Sequence, residues 1–163
     1  MNYLLGVDLG LRTGLAMYGR DGRLIWYRSQ HYASPAQLKK AVYSLFQDTP
    51  RLSRIVVEGG GLLADIWEKE AARRAVPLYR ISAETWRKDL LYPREQRDHK
   101  GAKSNAGILA RKVIEWSGAK RPTSLRHDAA EAILAGLWGV VQAGWLKTLP
   151  QELNRIPAAT GAP

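Results

Sequence analysis

Four carboxylates of this 163-residue chain stand where acidic residues could cooperate in catalysis. Asp8 closes the apolar run LLGVD, and Glu58 closes the apolar run IVVE. Asp128 and Glu131 are three residues apart in HDAAEA, so on a helix they would share one face. Converging carboxylates repel one another unless cations lie between them, and oxygen ligands favour Mg²⁺ or Mn²⁺. Two such ions about 3.5–4 Å apart can activate water and stabilise the leaving oxygen in phosphodiester hydrolysis.

Each of these acids also has a purely structural interpretation. Asp8 stands before a turn, where it could accept hydrogen bonds from backbone amides, and Glu58 could pair with a helix terminus. Asp128 and Glu131 could be favourable negative charges in the first turn of a helix. Their joint placement in a strongly basic chain favours the catalytic interpretation.

Hydrophobic periodicity and turn residues predict five strands and five helices around these acids. The strands are predicted over 3–9, 14–18, 24–32, 54–58 and 77–81. The helices are predicted from Ser34-Pro35 through Phe46 and over 62–75, 82–91, 103–117 and 125–145.

The connections predict an α/β fold with a mixed five-stranded sheet flanked by helices. The hairpin signal Asp21-Gly22 and short turns make the first three strands antiparallel, and helical crossovers make the later strands parallel to the first. If the strands that end in Asp8 and Glu58 are parallel neighbours, both carboxylates emerge at the same edge of the sheet. We expect one domain over residues 1–146, followed by a flexible C-terminal tail over 147–163 that is rich in Pro, Ala and Gly.

Composition excludes several classes of protein. The chain has no cysteine, which excludes a disulfide scaffold, a cysteine-ligated zinc site and a thiol nucleophile. Its apolar stretches are too short for a membrane span, and we expect no signal peptide because a strand pattern begins at once.

The net charge of +10 could serve solubility alone, but it favours a polyanionic partner, most often a nucleic acid. Between residues 87 and 126, eleven basic residues stand against four acidic ones, which accounts for seven of the ten excess positive charges. This segment could clamp a phosphate backbone, or it could be a solvated surface connection.

Three motifs together resemble the RuvC-type Holliday junction resolvases of the RNase H-like superfamily. They are GVDLGLRTGLA at 6–16, IVVE at 55–58 and DAAEA at 128–132. The segment SAETWRK at 82–88 is also similar, because a Trp-Lys or Trp-Arg pair often occurs there in these resolvases. The resemblance extends over roughly residues 2–141.

The resemblance implies an RNase H-like nuclease domain and a role for several specific residues. It makes Asp8, Glu58, Asp128 and Glu131 the metal-binding acids, with two Mg²⁺ ions for each active site and Mn²⁺ as a substitute. It also implies a lysine facing the scissile phosphate, for which Lys103 is the first choice before Lys100 and Lys112, and His127 is a minor candidate. The basic residues expected to contact DNA are Arg12, Arg87, Lys88, Arg94, Arg97, Lys100, Lys103 and Lys112.

The chain departs from the family pattern at two positions. The final acid is Asp in many members and is Glu131 here, with a longer side chain. Some bacterial members wedge the junction with an aromatic residue three positions after the strand-four glutamate, where this chain has Gly61. A wedge would have to come from Leu62, Leu63 or Trp67, or be absent.

The resulting hypothesis is a Mg²⁺-dependent crossover junction endodeoxyribonuclease that acts as a homodimer and makes paired nicks in a four-way DNA junction. We expect it in the cytoplasm, either with the nucleoid or encoded by a phage in a bacterial host, or else in an organelle. One alternative is a YqgF-like RNA-processing nuclease of the same superfamily. Another is a catalytically silent DNA-binding module of the same fold.

Overall fold

A computed structural model describes residues 2–91 and 99–153 of the chain, except the side chains of residues 99, 100 and 102. Its elements follow in the order β1 (Tyr3–Asp8), β2 (Arg12–Gly19), β3 (Leu24–His31), α1 (Pro35–Asp48), β4 (Leu52–Glu58), α2 (Leu62–Arg73), β5 (Leu78–Ile81), α3 (Ala83–Leu90), α4 (His99–Ser117) and α5 (His127–Gln142).

The five strands form one mixed sheet in the order β3-β2-β1-β4-β5, which confirms the predicted α/β architecture. β1 pairs antiparallel with β2, and β2 pairs antiparallel with β3. On its other side β1 pairs parallel with β4, and β4 pairs parallel with β5. The two strands predicted to carry Asp8 and Glu58 are therefore parallel neighbours in the centre of the sheet.

Local signals in the sequence account for most of the element boundaries. Ser34 caps α1 by accepting a hydrogen bond from the backbone N–H of Gln37, and Pro35 occupies the first turn. Gly22, with φ of 81°, forms the hairpin turn between β2 and β3. The largest difference concerns α4, which begins at His99 rather than at the predicted residue 103.

Helices cover both faces of the sheet and enclose two hydrophobic clusters. α1 and α2 cover one face, where Leu5, Val7 and Ile55 of the sheet are buried with Trp67 of α2. The other face is covered by α3, α4 and α5, and Tyr18 is among the sheet residues buried there. α5 lies directly on β1 and β2 and is buried along most of its length.

The segment after α5 is described as far as residue 153. Leu153 is buried in the cluster beneath α4 and α5, and Leu149 packs against the same cluster. The remainder of the predicted tail, residues 154–163, lies outside the described residues. No helix in the described part of the chain combines the length and apolar character needed to cross a membrane.

Candidate metal centre

Asp8 and Glu58 lie side by side at the edge of the sheet that is formed by the carboxyl ends of its parallel strands. They are register partners at the carboxyl ends of β1 and β4. The backbone carbonyl of Glu58 accepts a hydrogen bond from Leu9 N at 3.1 Å, which fixes the two strand ends to each other. This edge is where open α/β sheets place their functional groups.

Glycines let α5 approach this edge closely enough to add its own acids. A Cβ atom at Gly14 would lie 1.9 Å from the carbonyl oxygen of Asp128, and one at Gly6 would lie 2.4 Å from that of Ala132. Neither position can hold a side chain without moving the helix. The backbone contact therefore places the first turns of α5 against the strand that ends in Asp8.

Three of the four predicted acids come together into one cluster, which we call the acidic cluster: Asp8, Glu58 and Glu131. Each offers a carboxylate oxygen, and these oxygens all lie within 4.8 Å of one another. Glu58 is only 7% exposed and Glu131 only 4% exposed. Within residues 2–91 and 99–153, Oε2 of Glu58 is buried without a hydrogen-bond partner.

The environment of the acidic cluster strongly disfavours full ionisation. Burial, followed by the charges of Glu131 and Asp8, raises the pKa of Glu58 to about 9. The indole N–H of Trp86 lies near enough to lower this pKa slightly, although it does not reach hydrogen-bond geometry. Burial, followed by the charges of Glu131 and Asp128, raises the pKa of Asp8 to about 7.

Asp128 lies beside the acidic cluster but does not join it. Its Oδ2 accepts a hydrogen bond from the hydroxyl of Ser29 on β3 at 2.6 Å. It is still close enough for its charge to contribute to the raised pKa of Asp8. Of the four predicted acids, three therefore form the acidic cluster, and Asp128 lies next to it.

Two donors meet at one oxygen of Glu131. His127 Nε2 lies 2.9 Å from Oε1, one helical turn away on α5. Arg87 of α3 places a guanidinium nitrogen 3.3 Å from the same oxygen. Burial lowers the pKa of His127, and the charges of Lys103 and Arg87 lower it further against the opposing effect of Glu131 and Asp128.

The predicted phosphate-facing lysine, Lys103, is an exposed residue of α4 on the side of the acidic cluster. Its charge is one of those that lower the pKa of His127, so it lies near the N-terminus of α5. Lys112 is also exposed, but it stands beside Arg23 and Trp116 instead. Nine residues separate Lys112 from Lys103, or about 13 Å along the helix axis.

The remaining predicted DNA contacts differ in their accessibility. Arg12 and Lys88 are exposed, whereas Arg87 turns inward to Glu131 and its side chain is only 16% exposed. Arg94 and Arg97 lie outside the described residues, as does the side chain of Lys100.

Two of the candidate wedge residues, Trp67 and Leu62, differ in how far their side chains are exposed. Trp67 is 2% exposed and belongs to the core, so it is not available to separate bases. Leu62 is 66% exposed at the start of α2, directly after Gly61 with its φ of 77°.

Sequence reasoning does not anticipate two contacts of the site. Arg87, predicted as a DNA contact, also pairs with Glu131. Ser29 had no assignment, although it is the register partner of Gly14, which itself lies against Asp128. The strand register could have identified Ser29, because a residue beside Gly14 must also lie under the N-terminus of α5.

Models of known protein families show no match to this chain, and a comparison with curated proteins finds no relative. The function is therefore argued from the site itself.

Proposed function

We propose that this protein is a Mg²⁺-dependent, structure-selective DNA endonuclease with an RNase H-like fold, similar to the RuvC-type Holliday junction resolvases. One observation carries the proposal: the half-buried Asp8 and the buried Glu58 and Glu131 converge at the sheet edge, and Glu58 Oε2 has no hydrogen-bond partner among the described residues. A buried carboxylate oxygen without a partner is costly unless a proton or a cation satisfies it.

The residues of the acidic cluster fit a hard divalent cation. Asp8, Glu58 and Glu131 offer only oxygen ligands, which suit Mg²⁺ and Mn²⁺ rather than softer metals. Asp128, whose charge acts on Asp8, would contribute to a second ion if two ions bind, as in two-metal phosphodiester hydrolysis. When bound, such ions lower the pKa of a ligated water and stabilise the charge on the leaving oxygen.

The surrounding residues supply the contacts that a DNA substrate requires. Lys103 is exposed on the side of the acidic cluster and would contact the scissile phosphate. Arg12 and Lys88 are exposed and would hold the flanking backbone, where such contacts position the substrate without reading its sequence. The fold is compatible with an RNase H-like nuclease, in which the acids stand at the centre of a mixed sheet.

We further propose that the protein acts as a homodimer on branched DNA. A four-way junction presents two symmetry-related strands, and a two-fold dimer would place one acidic cluster at each. Sedimentation of the free protein measures this state directly. Such an enzyme would act where DNA recombines, in a bacterial cytoplasm or in an organelle.

Cleavage of three labelled substrates tests the activity: a four-way junction, a linear duplex and a structured RNA, each with Mg²⁺ or with EDTA. We expect symmetric, Mg²⁺-dependent nicks in the junction only. Cleavage of the RNA without cleavage of the junction would instead indicate a YqgF-like RNA-processing nuclease. Tight junction binding without cleavage under either Mg²⁺ or Mn²⁺ would indicate a silent DNA-binding module.

The variant Asp8→Asn separates catalysis from binding. Even residues that only orient metal ligands cost about 10–100-fold in activity, so loss of a ligand charge should reduce cleavage by more than about 100-fold. Junction affinity should remain, because the exposed basic residues are unchanged. Asp48→Asn, an exposed position at the end of α1, removes the same charge away from the site and serves as the control. Loss of junction binding by a folded Asp8→Asn protein would contradict the assignment.

A further inference from the structure

Arg87 is a basic residue whose side chain lies against the acidic cluster and is largely withdrawn from solvent. Its side chain is 16% exposed, and NH2 lies 3.3 Å from Oε1 of Glu131. Its Nε atom is buried without a hydrogen-bond partner in the described part of the chain. The contact that the structure gives this guanidinium is therefore with an acid of the cluster.

The position of Arg87 follows from the packing of α3. The preceding residue, Trp86, is completely buried in the cluster of side chains beneath α5. This anchor fixes the orientation of the short helix and turns Arg87 toward the first turns of α5. The exposed neighbour Lys88 lies on the outer side of the same helix.

We propose that Arg87 is the internal counter-cation of the acidic cluster, so that it stabilises the metal-free protein and limits the affinity of the cluster for divalent cations. The proposal rests on the proposed function only in assuming that this cluster binds a divalent cation.

Two opposite effects would follow from the loss of this charge, and their relative size decides the outcome. Arg87 orients Glu131, and loss of that orientation would weaken metal binding. Arg87 also repels any dication that enters the cluster. The second effect should dominate, because Glu131 is 4% exposed in a closely packed helix and keeps His127 at 2.9 Å without Arg87.

Mn²⁺ titration and unfolding of Arg87→Gln test the proposal without any measurement of cleavage. We expect Mn²⁺ to bind about tenfold more tightly, which corresponds to about 1.4 kcal/mol. In EDTA the same variant should melt lower by on the order of 5 °C, because Glu131 is left buried without its charged partner. Arg87→Lys, which keeps the charge, should restore most of both properties.

The neighbouring residue offers a matched control. Lys88→Gln removes the same charge from the same helix at an exposed position, so Mn²⁺ affinity and melting temperature should stay close to those of the native protein. Unchanged or weaker Mn²⁺ binding by Arg87→Gln would overturn the proposal. So would a loss of junction affinity in Arg87→Gln with no change in Mn²⁺ affinity, since Arg87 would then be a DNA contact.

The two proposals fail in distinguishable ways. If Arg87→Gln binds Mn²⁺ more tightly but the native protein cuts no junction, the counter-cation role stands and the nuclease assignment does not. If the native protein binds no Mn²⁺ at millimolar concentration, the counter-cation role is refuted together with the metal centre.

Discussion

Replacement of Glu58 by Gln should stabilise the metal-free protein at alkaline pH. The folded chain raises the pKa of Glu58 from 4.5 to about 9, so the fold prefers the protonated carboxyl. Its contribution to stability is complete below the unfolded pKa and is lost as the pH rises toward the folded pKa. Gln resembles the protonated side chain and cannot ionise, so it avoids this loss.

The size of the effect follows from the proton that Glu58 takes up on folding between these two pKa values. One proton changes the free energy of unfolding by about 1.4 kcal/mol for each pH unit. Between about pH 5 and pH 8 the limit for Glu58 alone is therefore about 4 kcal/mol. Because Glu58 shares its interactions with Asp8 and Glu131, we expect about half of that limit, or about 2 kcal/mol.

Urea unfolding in EDTA, followed by tryptophan fluorescence across this pH range, measures the difference directly. Glu58→Gln and the native protein should be similar near pH 5, and the variant should become the more stable of the two as the pH rises. Glu84→Gln, an exposed position on α3, should follow the native profile throughout. Mn²⁺ should stabilise the native protein but not Glu58→Gln.

Two parallel pH profiles in EDTA would refute this reasoning, because they would show that the fold does not perturb Glu58. A variant that is less stable than the native protein at pH 8 would do the same. If Glu58 is a metal ligand, Glu58→Gln should gain stability at high pH in EDTA and should lose the stabilisation by Mn²⁺. If Glu58 only supports the fold, the response to Mn²⁺ should not change.

Two further substitutions test how α5 is positioned. Ser29→Ala removes the hydroxyl that donates to Asp128 at 2.6 Å, and we expect cleavage to fall by about tenfold and to recover in Ser29→Thr, as measured on the labelled junction. Gly14→Ala places a Cβ atom 1.9 Å from the carbonyl oxygen of Asp128, so the free energy of unfolding should fall by about 3 kcal/mol in urea. Gly60→Ala, where nothing lies within 4 Å of the added Cβ, should change stability by less than about 0.5 kcal/mol. Equal effects at Gly14 and Gly60 would contradict the close contact.

The paired acids on the sheet were predictable because strand pairing follows from connection type. The short turn at 10–13 predicts that β2 is antiparallel to β1, and a helical crossover predicts that β4 is parallel to it. If these parallel strands are neighbours, an acid at the end of each falls at the same edge of the sheet. The structure shows that they are neighbours and that Asp8 and Glu58 are register partners.

The spacing of Asp128 and Glu131 does not predict which of the two carboxylates joins the acidic cluster. Residues three apart on a helix share a face, but they still differ by about 60° around the axis and by about 4.5 Å along it. Which of the two enters the cluster depends on how α5 lies over Gly14 and Gly6, where the absence of side chains allows backbone contact. The longer side chain of Glu131 then reaches Asp8 and Glu58, while Asp128 meets Ser29.

Arg87 shows why charge counting assigns partners poorly. In the sequence it is one of eleven basic residues between positions 87 and 126, and its formal charge is the same as that of Lys88. The distinction arises from the neighbouring Trp86, which is completely buried and thereby sets which side of α3 faces the acids. The direction of a side chain on a short helix is a property of packing, which local sequence does not encode.

The excess positive charge of the chain cannot take the place of a cation in the acidic cluster. Exposed residues such as Lys88 and Lys103 act through water, where salt screens charges over about 8–10 Å. Glu58 and Glu131 are almost wholly buried, and there a cation must be in direct contact to be effective. Among the described residues, Arg87 makes such a contact with Glu131 alone, and Glu58 Oε2 has no hydrogen-bond partner. Under the proposed function the surface charge would bind a polyanion in a salt-dependent way, whereas the cluster requires a proton or a metal ion at neutral pH.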